Sequence, residues 1–306
     1  FAGKLNGFTG ITADNKLIKN SNLSLSVILC VYKMSNKLLP SGYMMTKPAD
    51  SLLKLAGKKG ISAEVINNST TLVNEVVKQL TQYINQDGFR NLSGKKRYTP
   101  VEGDAYWQPT APAFMQALEP YWSTLRTFVI DSSRQFTPVT TAPYDSDTSS
   151  QFYKLMSEVY SIGNKLSTQQ AEIAMFWDCN PFALQQIGHL EFGVKKISPG
   201  GHWMGITGIA CKKAKKNLSQ TVYIHTAVAC TIADAFISCW DEKYRSNRIR
   251  PETAIKRLIN PTWHPLLQTP PFPEYTSGHS VISTAAAEIL TIFFGDKFTY
   301  TDDTEK

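Results

Sequence analysis

From Leu218 to Lys243 the chain runs without a single Gly or Pro through a segment rich in Ala, Ile and Val, and no other stretch restricts the fold so tightly. With no helix breaker, and at 1.5 Å per residue, it makes a helix roughly 40 Å long. Such a helix is apolar on too many sides to lie on a surface, so other elements must pack around it. A second apolar run, from about His279 to Phe294, is stopped by Gly295. Elsewhere the periodicity is also helical. Val73, Val76, Val77, Leu80, Tyr83 and Ile84 follow the i, i+3, i+4, i+7 pattern ahead of Asp87-Gly88. Phe152, Leu155, Met156, Val159 and Tyr160 repeat it and close at Gly163, and Ser167 with Gln170 reads as a capping box opening a helix through Ala171 to Trp177. No stretch alternates strictly enough for a convincing strand, and no internal repeat is visible. The predicted fold class is all-α, a helical bundle or two packed bundles, with functional loops around one end.

The segments Gly88 to Pro112 and Ser132 to Ser150 are rich in Pro, Thr, Ser and Gly and read as long loops. The second reads either as a division into an N-terminal helical region, 1–145, and a C-terminal one, 146–306, or as a long surface excursion. The 42% apolar and 19% charged content over 306 residues is that of an ordinary globular chain. Net charge is +7, but the cations are scattered apart from Lys212 to Lys216 and Lys243 to Arg250, which argues against a nucleic-acid partner. The five cysteines show no CxxC spacing and read as buried free thiols rather than a disulfide framework or a zinc site. No run approaches the roughly 18 to 20 unbroken apolar residues of a membrane span, so a soluble chain is expected. It opens at Phe1 without an initiator Met or a signal-like leader, as a mature or trimmed form would.

Chemistry concentrates in two places. In Trp240-Asp-Glu-Lys243-Tyr-Arg-Ser-Asn-Arg-Ile-Arg250-Pro251, a helix continuing to Arg250 would put both cations on one face, roughly 10 Å apart. Arg supplies a planar fork and Lys a point charge for a tetrahedral anion. Pro251 disfavours helical geometry at Arg250, so an element ends there. Taken singly, the stretch also fits a charged helix end facing water. The second place is Phe272-Pro-Glu-Tyr-Thr-Ser277-Gly278-His279. A Ser-Gly pair opening a helix gathers unpaired N–H groups at the positive end of the dipole. His279 is placed beside that spot as a general acid or base, although an N-cap Ser followed by a first-turn His is a sufficient account of those residues alone. His202 sits in the turn Ser198-Pro-Gly-Gly-His202-Trp203 and is a candidate for a cleft wall or for a structural turn. His225 reads as a core residue, while His189 and His264 carry no pattern.

Together, Lys243-x6-Arg250-Pro251 and Ser277-Gly278-His279 resemble the first two of three motifs of the superfamily of vanadium-dependent haloperoxidases and type 2 phosphatidic acid phosphatases. The resemblance is closest to bacterial relatives of vanadium chloroperoxidase, through Ala233-Asp234-Ala235, Trp240, the Phe272-Pro273-Glu274-Tyr275 lead-in and the Pro-Gly-Gly-His-Trp turn. It covers roughly residues 170 to 295. Thr276 stands where the family usually has Pro. The third motif, with the His that binds vanadium or forms a phosphoenzyme, is not found: every histidine lies at or before His279, and the chain reaches Lys306 about where a further segment is expected.

The resemblance implies that Lys243, Arg250, Ser277 and the Gly278 N–H hold the oxygens of vanadate or phosphate, with His279 as acid/base. It also implies that Trp240, Phe272 and His202 are candidate walls of a halide or substrate pocket. The implied activity is a vanadate-dependent oxidation of halide by hydrogen peroxide. Two alternatives are an acid phosphatase acting through a phosphohistidine with no cofactor, and a non-catalytic helical protein keeping a degenerate anion site. A small-molecule substrate or inorganic oxyanion is the expected partner, and export is suggested by the family alone.

Overall fold

The computed structural model describes residues 3–112, 114–180, 184–187, 190–193 and 197–304. The chain divides into two compact units, Phe1–Arg90 and Asn91–Lys306. The boundary therefore falls well ahead of the 145/146 division expected from sequence, and the loop-rich stretch after residue 90 goes with the C-terminal unit. In the first unit, α1 (Asn15–Lys19) is a short helix and α2 (Leu23–Leu38), α3 (Thr46–Lys58) and α4 (Ala63–Ile84) are longer. Asn22 and Ser62 cap α2 and α4 by accepting from the Leu25 and Val65 N–H groups. The apolar faces close on Leu29, Val73 and Val77, with Leu52 and Leu53 packed against them.

The second unit adds α5 (Gln151–Gly163), α6 (Thr168–Phe176), a hairpin of β1 (Leu184–Ile187) and β2 (Leu190–Gly193), α7 (Pro199–Lys213), α8 (Leu218–Ser246), α9 (Pro251–Leu258) and α10 (Gly278–Phe294). The two strands pair antiparallel, Leu184 opposite Gly193. They are a small departure from a mainly α-helical protein, too short for the sequence to betray by alternation. The predicted capping box forms, Ser167 accepting from Gln170 N–H, and a second one, Asn217 with Gln220, opens α8.

The core of this unit follows from spacing. Ile224, Val228 and Ile232 on α8 and Ile282, Ala286 and Leu290 on α10 are i, i+4 stripes, and they are buried together with Trp203 and Ile206 of α7. The length and apolar content of α8 would suffice to cross a membrane; here it is the central helix of a bundle, carrying buried Asp234, Asp241, Glu242 and Lys243. A second cluster joins Phe152 and Met156 of α5 to Ile249, Ala254 and Ile255.

Three expectations are corrected here. The α8 helix stops at Ser246, because Asn247 adopts the left-handed conformation (φ 47°), a common helix stop. Lys243 and Arg250 therefore do not share a helix face: Arg250 is the residue ahead of α9, whose first residue is Pro251. The Pro-Gly-Gly-His-Trp stretch is not a free turn but the first turn of α7, capped by Ser198 with Pro199 at its head. The segment after Gly88 is not structureless: Phe89–Gly94 forms a 3-10 helix, Trp107 is fully buried, and its N–H reaches Asn247 O at 2.9 Å while Ile249 N–H reaches Ala105 O at 2.9 Å.

Candidate active site

Lys243 is only 1% exposed. Its Nζ donates to the carbonyls of Pro273 and Glu274, both at 3.1 Å, and to that of Thr276. All three ammonium protons are thus used on the segment that leads into Ser277, which that one side chain straps onto α8. Arg250 reaches the same ring: its guanidinium lies 5.4 Å from the Phe272 ring centre and the Lys243 ammonium 4.8 Å from it. The two cations therefore converge on one aromatic ring although they leave different elements. Burial, reinforced by the Arg250 charge, pulls the Lys243 ammonium down from its ordinary value to about 8. Burial likewise brings Arg250 down to about 10, against the opposing pull of Glu274 and Glu252.

Phe272 packs on Trp240 at 5.1 Å between ring centres, and Trp240 on Trp122 at 5.4 Å and Phe236 at 5.4 Å. Trp240 is buried, with its indole N–H spent on Leu118 O at 3.2 Å, so it acts as packed backing with one edge turned to the site. At that edge stands Gly278, where a β-carbon would sit 3.7 Å from the indole. Ser277 caps α10 and accepts from Ser280 N–H at 3.2 Å, leaving the Gly278 and His279 N–H groups ahead of the first intrahelical bond. His279 is exposed, and its Nε2 donates to the carbonyl of Trp177 at 2.7 Å.

His202 is not a wall of this site. Its ring is wholly buried, stacked on Trp177 at 4.7 Å, with Nε2 2.7 Å from Asp302 and Nδ1 3.6 Å from the Cys179 thiol. His225, whose Nδ1 lies 2.8 Å from Thr221 O, is half-buried within α8, and His189 lies outside the described residues.

The residues that sequence reasoning passed over act through main chain or at a distance. Asp234 accepts from the consecutive N–H groups of Phe128, Val129 and Ile130 at 2.6, 2.7 and 3.1 Å, anchoring a loop to α8. Glu274 pairs with Arg248 at 3.0 Å. Asp241 faces Arg134 at 3.3 Å and Arg245 at 3.7 Å. Only Asp234, within Ala-Asp-Ala, carried a sequence signal.

Over 99% of its length the chain superposes, with a TM-score of 0.91 and 41% identity, on a structure described as the first bacterial vanadium-dependent iodoperoxidase, spanning 72% of that chain. The chain belongs to the vanadium-dependent haloperoxidase family. A model of the second helical-bundle domain of vanadium chloroperoxidase matches residues 223–306, the part that holds every proposed haloperoxidase site residue except His202. The holo and apo forms of a bacterial vanadium-dependent chloroperoxidase share the haloperoxidase fold, with TM-scores of 0.61 and 0.63 at 16% and 15% identity, each over 90% of this chain and 66% and 67% of theirs. No curated protein matches the chain.

The site suits an oxyanion. It brings the buried Lys243 and the half-buried Arg250 together, and the Nε of Arg250 is buried without a hydrogen-bond partner, a costly arrangement unless an acceptor completes it. The groups gathered there, the Lys243 and Arg250 cations and the N–H groups at the head of α10, are those that hold an anion.

Proposed function

We propose that this chain is a vanadate-dependent haloperoxidase that uses hydrogen peroxide to oxidise halide, with iodide as its most readily oxidised substrate. The reading is carried by the similarity to an iodoperoxidase at 41% identity across nearly the whole chain. It is supported by the pair of cations gathered at Phe272, Lys243 buried and Arg250 half-buried.

Arg250, Ser277 and the Gly278 N–H would hold the oxygens of vanadate. Lys243, its protons already engaged by carbonyls, would contribute charge and keep the 273–276 segment in place. Vanadate, when bound, supplies a Lewis acid that activates peroxide without changing its own redox state. The positive charge of Lys243 and Arg250 would neutralise negative charge developing on a bound oxyanion and draw the anionic halide in. His279 can take and return a proton at Nδ1, because its Nε2–H is committed to the Trp177 carbonyl. Trp240 and Phe272 form an apolar wall that limits water near the reacting atoms.

Peroxide-dependent formation of triiodide, assayed with and without orthovanadate, tests the reading. Turnover that requires vanadate and is inhibited by phosphate is expected. Hydrolysis of p-nitrophenyl phosphate inhibited by vanadate, with no halide oxidation, would replace the reading with a phosphatase; silence in both assays would favour a binding site without catalysis.

A further inference from the structure

We infer that His202 and Asp302, neither of which touches His279, are positioning residues for it. The inference rests on the acid/base role given to His279 above. The Trp177 carbonyl that receives the His279 Nε2–H at 2.7 Å also accepts from Cys179 N–H at 2.9 Å. It therefore belongs to a tight turn at the end of α6, and both ends of that turn rest on one imidazole. The Trp177 indole stacks on His202 at 4.7 Å with 22° between planes, and the Cys179 sulfur lies 3.6 Å from His202 Nδ1.

His202 is itself fully buried and anchored from the far side by Asp302 Oδ2, 2.7 Å from Nε2. Asp302 is held in turn by the Thr304 N–H at 3.1 Å. The approach of this tail to α7 is close: a β-carbon on Gly205 would collide with the Thr304 side chain. A carboxylate, an imidazole and an indole thus form a continuous support beneath the carbonyl that orients the catalytic ring.

The consequence is chemical. A carbonyl only accepts, so His279 must keep its proton on Nε2 and present Nδ1 unprotonated. Nε2–H is retained whether the ring is neutral or cationic, so Nδ1 can gain and lose a proton without the ring turning. If the turn shifts, the ring loses its fixed acceptor and both neutral tautomers become populated.

The test uses protein labelled with 15N-histidine, the His279 signals being assigned by their loss in His279→Gln. In the wild-type protein the neutral ring is expected as the Nε2–H tautomer alone. In Asp302→Asn, and in His202→Phe, which keeps a stacking ring but loses the tie to Asp302, both tautomers are expected. With vanadate and iodide, kcat should drop about 10- to 100-fold, the usual cost of removing a supporting hydrogen bond behind a reactive group, while KM for peroxide changes less than about threefold. Variants that fold and keep the single tautomer would overturn the inference, as would a wild-type His279 found in the Nδ1–H form or averaging between tautomers, a result that needs neither the Asp302 nor the His202 variant. The tautomer signal does not depend on turnover, so failure of the haloperoxidase reading would show as absent iodide oxidation with the wild-type tautomer still fixed.

Discussion

The orphaned Nε of Arg250 is the most exacting demand in the site, since a buried guanidinium nitrogen without an acceptor costs more than the net value of an ordinary hydrogen bond. Arg250→Ala is expected to weaken orthovanadate binding by about 1.5 to 3 kcal/mol, the range of hydrogen bonds to charged groups, as read by isothermal titration; an unchanged affinity would remove Arg250 from the anion site. Lys243 makes a different prediction, because its ammonium is drawn from an ordinary 10.5 to about 8 by burial. Below pH 8 the folded and unfolded chains both hold this proton, and the cost of burying the charge is carried in full. Between about 8 and 10.5 the unfolded chain binds more protons, so this residue's contribution to stability rises with pH, by on the order of 3 kcal/mol in total. Urea unfolding of the wild type and of Lys243→Met, at about pH 7.5 and about pH 10, should show the extra rise only in the wild type. Parallel behaviour of the two proteins would mean that Lys243 is not the group responsible.

Among the elements, α8 has the widest range of duties. One stripe, Ile224, Val228 and Ile232, is core, and its C-terminal turns carry Trp240 and Lys243 into the site. Between them Asp234 collects three consecutive N–H groups of the 128–130 segment. Asp234→Ala would leave those donors without their acceptor, and a loss of about 3 kcal/mol in unfolding free energy is expected, the scale of an unsatisfied group next to a lost charged hydrogen bond; a loss below about 1 kcal/mol would show that water replaces the carboxylate freely. The stop at Asn247 matters as much as the helix. Had α8 continued, Arg250 would lie on it; instead the left-handed residue turns the chain, Ile249 enters the second core cluster, and Arg250 returns to Phe272 from the head of α9.

At the scale of the molecule, the proposed anion binding would be linked to folding of the C-terminal unit, because the cation pair exists only when α8, the 272–277 segment and the head of α9 are assembled. Orthovanadate at about 100 times its Kd should therefore stabilise the protein by about 2.7 kcal/mol, seen as a higher unfolding temperature that phosphate reproduces at higher concentration; no shift would mean that the cations do not bind the ion. Much of this architecture was legible in the residues themselves. Apolar spacing marked α4, α5, α8 and α10, Ser167 with Gln170 named the start of α6, and Ser277 and Gly278 named the start of α10, because helix periodicity and capping are local properties of a few neighbouring side chains. The residue types needed for an oxyanion were legible too, since charge and donor capacity belong to the side chain. What only the tertiary structure decided is how those groups are used. Three carbonyls occupy Lys243, another orients His279, and His202 is buried behind the site instead of lining it. Main-chain carbonyls are the same in every residue, so no sequence pattern announces which of them will meet a given side chain; that is settled only when distant segments pack.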